Sequence, residues 1–309
     1  MALTLSPSTV PSDQNYDCRE SSFFQHHLQL PTPDEVRIRV RQQLESQTCL
    51  DVRRQHLIGS YGRKPPASWS DLNLFVKWGP IDRTLPEALC LFSIYKILGK
   101  RVPVPEVYGW RTDGDDTFIY MELVRGVTLE SVWEQMDVKN RRVVCEDLRE
   151  IIRSLRTLQQ DPRDKYIGNI LRNHIYDRSV ECYTEQCGPF LSVKAFHDWY
   201  AFLCRQAFPD KCIDVPIEPY RYDLPDDTPI RFTHGDLHQS NIMVSSSTPY
   251  RVITLIDWEQ SGWLPEYWEN CKTLWTSYSS SDWAREYVPL FLEQNEKILD
   301  AWRWYESSI

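Results

Sequence analysis

RFTHGDLHQSNIMV (residues 231–244) places two histidines, an aspartate and an asparagine within eight positions. His234 and His238 stand four apart, a spacing open to a metal, and Asp236 sits between them where a catalytic acid or base can act. Three readings compete: a metal site, a catalytic loop, or a polar turn before a strand. A zinc pair needs both histidines on one helix face with further ligands close by. Gly235 and the strand-like NIMV that follows argue against a helix, and no HExxH motif or Cys/His cluster accompanies them.

The residues downstream shift the weight to Asp236 and Asn241. NIMV (241–244), a polar SSSTPY and RVITLID (251–257) predict a hairpin of short strands. Asn241 opens the first strand and Asp257 closes the second, so antiparallel pairing brings an amide and a carboxylate together. Residues paired across such a ladder have Cα atoms roughly 4.5–5.5 Å apart. Two protein oxygens suit Mg²⁺, which fills its remaining positions with phosphates and water. The Asp236-to-Asn241 spacing is also that of the kinase catalytic loop, where the aspartate handles the acceptor hydroxyl and the asparagine holds metal.

The first half supplies the partners such a loop requires. Lys77 stands in the strand-like LFVKW, as a phosphate-contacting lysine should. Glu87 follows on a predicted helix, in line with Leu91, Ile94 and Leu98. A carboxylate heading an apolar stripe is costly without a cation, and Lys77 is the natural one. Taken singly, each is an ordinary surface charge. The order Lys, Glu, hinge, Asp, Asn, Asp is what chance rarely supplies.

Composition bounds the rest. The 309 residues suit one large domain or two lobes. With 26% charged and 41% hydrophobic residues the chain reads as soluble and globular. A net charge of −9 argues against nucleic-acid and membrane-surface partners. No apolar run reaches the roughly 18–20 residues that cross a bilayer, and the N-terminus lacks the basic and apolar blocks of a signal peptide. Nine cysteines without a CxxC pair read as reduced thiols. The expected location is cytoplasmic.

Along the chain, residues 1–32 read as an extended or poorly ordered N-terminal arm. TPDEVRIRVRQQLES (32–46) predicts a helix, DLNLFVKW (71–78) a strand, TLPEALCLFSIYKIL (84–98) a helix, and 106–124 a hairpin turning at Asp113-Gly114. Helical patterns dominate 139–159 and 194–207. The expected division is an arm (1–32), a strand-rich nucleotide-binding N-lobe (33–124) and a mainly helical C-lobe (125–309) with the catalytic loop, an α+β fold.

THGDLHQSNIMV and ITLIDWEQSGWLPEYWE resemble the catalytic loop and metal-binding segment of the aminoglycoside phosphotransferase and choline kinase family, a branch of the protein-kinase-like two-lobe fold. FVKW, PEALC, VPVPEVYGW, YMELVRGVTLESVW, YIGNI, GPFLSVKAFHDW and LPDDTPIRFTHGDLH are similar to a fungal phosphotransferase-like subgroup of it, over roughly residues 55–275 in order. The resemblance implies ATP and Mg²⁺ as cofactors and a small-molecule acceptor as partner. By it, Asp236 orients or deprotonates the acceptor, and Asn241 and Asp257 hold Mg²⁺. Lys77 contacts the inner phosphates and is positioned by Glu87. The backbone of Glu122, Leu123 and Val124 binds the adenine edge. His234 braces the loop, and His238 does the same or approaches the transferred phosphate. Gly59 and Gly62 in GSYGRKPPASW are the candidates for the phosphate-covering loop; there is no GxxxxGK[ST] P-loop.

The acceptor is less legible. Glu259, Glu266 and Glu269 can favour a cationic amine, with Trp263, Tyr267 or Trp268 adding cation–π contact. The alternative is that these aromatics form core. The leading expectation is transfer of the γ-phosphoryl group of ATP to a hydroxyl. A second is activation of a carboxylate or hydroxyl for condensation or elimination in natural-product assembly. A third is a non-catalytic binding protein on a kinase scaffold. Nothing in the sequence fixes the oligomeric state.

Overall fold

The structure, a computed structural model, describes residues 3–46, 64–205, 219–277 and 280–309. Gly59 and Gly62, expected to cover phosphate, lie outside the described residues. The chain divides into two compact units. One comprises Val10–Gly99 and Pro103–Arg125, the other Met1–Thr9, Lys100–Val102 and Gly126–Ile309.

The first unit is built on a five-stranded antiparallel sheet: β1 (Tyr16–Asp17), β2 (Ala67–Trp69), β3 (Leu74–Pro80), β4 (Val107–Asp113) and β5 (Asp116–Glu122), in the spatial order β1-β4-β5-β3-β2. Two helices accompany it, α1 (Pro33–Glu45) and α2 (Ile81–Leu98). Helix α1 starts where Thr32 and Glu35 form a reciprocal capping box, with Pro33 at the first turn. β4 and β5 form the expected hairpin, and Gly114 (φ +61°) takes the left-handed turn conformation that a side chain resists.

The N-terminal stretch differs from the extended or poorly ordered arm expected of it. β1 pairs with β4, and Tyr16 stacks on Trp110 at 4.7 Å. Phe23 and Leu30 are buried in the same core as Val36, Val76 and Phe118. A few apolar anchors in a polar stretch bury enough surface to dock it, which mean composition does not reveal.

The second unit contains four longer helices, α3 (Val138–Leu155), α4 (Val193–Leu203), α5 (Trp268–Trp275) and α6 (Glu296–Glu306). Two small sheets sit among them. Strands β6 (Val127–Thr128), β8 (Ile242–Val244) and β9 (Val252–Leu255) form one, with β8 central; β7 (Ile230–Thr233) pairs with β10 (Gly262–Pro265) in the other. A parallel two-residue ladder joins Leu3–Thr4 to Leu158–Gln159. Gly126 permits the close approach of the chain to β8 and β9, since a Cβ there would lie 2.7 Å from the Val244 carbonyl oxygen. Trp268, Trp302, Tyr200 and Tyr305 are fully buried where α4, α5 and α6 contribute to one aromatic core. No helix among the described residues is long and apolar enough to cross a membrane.

Candidate active site

In the first unit, Lys77 lies on β3 opposite Ile119 of β5. Glu87, on α2, is 2% exposed, and Lys77 Nζ approaches its Oε2 at 2.7 Å and its Oε1 at 2.9 Å. The carboxylate that the apolar stripe would otherwise strand is thus met by a cation. At the end of β5, the Glu122 amide donates to the Glu106 carbonyl and the Leu123 amide to the Asn73 carbonyl. Among the described residues no backbone hydrogen bond engages Val124 or the Leu123 carbonyl, so these main-chain groups are left for a ligand.

In the second unit, the loop after β7 is set by close backbone packing. Gly235 has φ +80°, and a Cβ there would fall 2.4 Å from the Gln260 carbonyl oxygen. Only glycine fits. His234 is fully buried, and both ring nitrogens are used: Nδ1 accepts from the Asp236 amide at 3.1 Å, and Nε2 donates to the Ile256 carbonyl at 3.1 Å. It ties the Asp236 loop to the end of β9 and has no lone pair left for a metal. His238 caps the 3₁₀ turn Gln239–Asn241 by accepting the Ser240 amide at Nδ1. The two histidines are not a metal pair.

Asn241 closes the loop on Asp236. Its Nδ2 donates to the Asp236 carbonyl at 2.9 Å and to Asp236 Oδ2 at 3.0 Å. Both partners are acceptors, so the orientation of the amide is settled by the network. Its Oδ1 is turned away from Asp236, and the clasp engages Asp236 Oδ2 and not Oδ1. The hairpin beyond is present, but its register places Asn241 opposite Ile256, whose amide donates to the Asn241 carbonyl at 3.0 Å. Asp257 lies one residue outside the ladder, in the left-handed conformation (φ +66°, ψ +61°). Asn241 and Asp257 are therefore neighbours across the hairpin mouth and not a paired rung, because the strand ends where Asp257 turns left-handed.

The residues assigned to the acceptor behave differently from expectation. Trp263 is 1% exposed and packs edge-on against Phe232, so its ring has no face for a cation. Tyr267 is buried too, and its hydroxyl bonds His197 Nε2 at 2.7 Å. Both are core, the alternative reading of these aromatics. Glu259 is met by Arg178 at 3.0 Å, and Glu266 by Arg156 at 3.2 Å. Glu269 is 3% exposed and faces inward. An acidic run in sequence does not become an acidic surface when each member finds an internal partner.

Glu269 is the functional residue whose job the sequence hid. From the first turn of α5 its Oε2 accepts the His234 amide at 2.7 Å and its Oε1 the Gly235 amide at 3.1 Å, immediately before Asp236. Burial raises its pKa, and the cationic and amide donors around it oppose that shift. The available signal was an acid in the first turn of a helix, directly after the aromatic pair Tyr267-Trp268, in PEYWENC (265–271).

His197 links Tyr267 to Asp226, which lies 3.0 Å from Nδ1. Burial lowers its pKa from 6.5 to about 4, although the Asp226 hydrogen bond works the other way. It is held neutral in the folded state and protonates near its ordinary value when unfolded. Its contribution is thus complete above pH 6.5 and lost as pH falls towards 4. Urea unfolding is expected to show stability falling by about 3 kcal/mol across that window, with the fall largely absent in His197→Gln.

The sequence model of the phosphotransferase enzyme family matches residues 67–306. No protein among the curated relatives matches the chain. Among solved structures, it is similar to an aminoglycoside-3'-phosphotransferase of type VIII (18% identity, TM-score 0.47, 76% of this chain and 85% of that one). It is also similar to the aminoglycoside phosphotransferase APH(3'')-Id from Streptomyces rimosus in complex with ADP and streptomycin (15% identity, TM-score 0.46, 85% and 98%). A gentamicin complex of APH(2'')-IIa is a further likeness (14% identity, TM-score 0.46, 84% and 86%). The family match spans more than half of the chain. The fold is α+β, and the sequence is that of a phosphotransferase. The chain belongs to the phosphotransferase enzyme family.

Proposed function

We propose that this enzyme transfers the γ-phosphoryl group of Mg·ATP to a hydroxyl of a small molecule. The observation that carries this reading is the clasp between Asn241 and Asp236, which ties up one carboxylate oxygen and leaves the other for an acceptor. Asp236 Oδ1 accepts the hydroxyl proton and aims the oxygen at phosphorus. Asn241 Oδ1 and Asp257 offer hard oxygen ligands, a donor set that fits Mg²⁺. When bound, Mg²⁺ offsets charge on the phosphate oxygens. Lys77 contacts the inner phosphates, held straight by Glu87. The backbone at Glu122–Val124 takes the adenine edge through the Leu123 carbonyl and the Val124 main chain. Phosphoryl transfer asks little covalent work of the protein, so alignment and charge cancellation supply most of the acceleration.

The test is incubation with Mg·ATP across a panel of alcohols, amines and acids, read by product mass. A stable product heavier by one phosphoryl group supports the proposal. A condensed, phosphate-free product assigns the enzyme to carboxylate activation instead. Absence of any product, with no thermal shift on adding Mg·ATP, assigns it to ligand binding.

His238 adds a separate expectation. Its Nδ1 is engaged by Ser240, so the neutral ring carries its proton on Nε2. We assign that N–H to the transferred phosphoryl group. Asparagine at this position keeps the cap at the Nδ1 end and removes the distal donor; glutamine keeps a distal N–H and removes the cap. His238→Asn is therefore expected to lower kcat by about 10²-fold, and His238→Gln to lower thermal stability while retaining most of kcat. Equal kcat in the two variants would remove His238 from the chemistry.

A further inference from the structure

Helix α5 carries a second charged residue that the proposed chemistry does not use. Lys272 lies three residues after Glu269 and is fully buried. Its Nζ is 2.5 Å from Asp177 Oδ1, itself 1% exposed, and donates to Gln260 Oε1 at 3.1 Å. Burial works against the Asp177 charge. Lys272, together with hydrogen bonds from Ser179 and Trp268, overcomes it and holds the carboxyl below its usual range.

Gln260 is the joint of this network. Its Oε1 also accepts the Arg178 amide at 3.0 Å, while its Nε2 is buried without a partner among the described residues. Flipping the amide would face Nε2 to two donors, so the orphan atom is fixed where it is. A buried unsatisfied N–H is costly, and it is tolerated here because Oε1 anchors the turn. That turn, Trp258–Gln260, begins at Asp257, and the Gln260 carbonyl is the atom against which Gly235 packs. One face of α5 thus holds both loops: Glu269 grips the amides before Asp236, and Lys272 grips the turn after Asp257.

We propose that Lys272, acting through Gln260 and anchored by Asp177, is a positioning residue that sets Asp257 against the Asp236 loop for metal binding. This rests on Asp257 being a metal ligand, the reading above. An ion pair this deep adds little net stability over a packed apolar pair. Its value lies in a fixed geometry, since a buried ammonium with two partners tolerates little displacement.

The decisive variants are Asp177→Asn/Lys272→Met, which removes both charges and keeps a side-chain acceptor at 177, and Gln260→Leu, which leaves the ion pair intact and cuts only its tie to the turn. Affinity for the non-hydrolysable β,γ-imido analogue of ATP is measured by calorimetry with and without Mn²⁺. Wild type is expected to bind more tightly with Mn²⁺. In either folded variant, Mn²⁺ affinity in the presence of the analogue is expected to fall about 10-fold, the effect of disturbing an outer shell, while metal-free binding of the analogue stays unchanged. A role in folding alone would lower the melting temperature and leave both affinities at wild-type values, which would overturn the proposal. If wild type shows no metal-dependent binding of the analogue, the phosphotransfer assignment of Asp257 falls first and the role of Lys272 with it.

Discussion

Asp236→Asn is expected to lower kcat by about 10²–10⁴-fold, the usual contribution of a positioned general base, while leaving the fold and the KM for ATP near wild type. The geometry makes this a clean substitution. The Asp236 amide still donates to His234 Nδ1, and the Asp236 carbonyl still accepts from Asn241 Nδ2. An asparagine can turn its own oxygen to Asn241 as Oδ2 does now, which places an amide nitrogen where Oδ1 stood. That nitrogen is not basic and cannot accept the acceptor's proton. The loop stays closed and the chemistry stops. A steady-state measurement alongside a melting curve separates the two effects. A variant with unchanged melting temperature and kcat within threefold of wild type would show that Asp236 is not the group meeting the acceptor.

Much of this site was legible because each part carried a cost that the sequence exposed. Glu87 on an apolar stripe demanded a cation, and Lys77 stands 2.7 Å away. The strand-like runs NIMV and RVITLID on either side of the polar SSSTPY predicted a hairpin, and β8 and β9 form it, although register could not be read to the residue. Asp257 falls one position beyond the ladder because its left-handed conformation depends on backbone packing, not on residue pattern. The acceptor region was read worst. Tryptophans and acids after Asp257 looked like a surface for a cation, yet hydropathy cannot tell an exposed acid from one enclosed with a partner. Glu269 and Lys272 each lie in a helix buried over nearly all its length. Glu269 is met by the His234 amide, 35 residues upstream, and Lys272 by the Asp177 carboxylate, 95 residues upstream. No helix-period spacing links them, which is why Glu269 read as an acid for the acceptor and Lys272 was not singled out.

Asp257 supports the other large effect. Its substitution is expected to abolish Mg·ATP-dependent turnover, a loss of about 10³-fold or more, since a metal's stabilisation of phosphoryl charge is worth several kcal/mol and each 1.36 kcal/mol is tenfold in rate. The choice of substitution matters because the backbone here is left-handed. Alanine removes the carboxylate and also bears the penalty of roughly 1–2 kcal/mol that an L side chain meets in that region, whereas asparagine tolerates it. Asp257→Ala should therefore lose turnover and some stability, and Asp257→Asn turnover with stability retained. Raising Mg²⁺ should recover part of the activity in Asp257→Asn, which keeps a neutral oxygen ligand, and none in Asp257→Ala. Asn241→Ala needs a different expectation, because it also frees Asp236 Oδ2 and opens the loop. It should lose turnover without rescue by Mg²⁺, as the general base is then misplaced along with the metal. Full turnover in Asp257→Ala would remove this carboxylate from the metal site, and the hairpin that presents it would then be only a structural feature of the second unit.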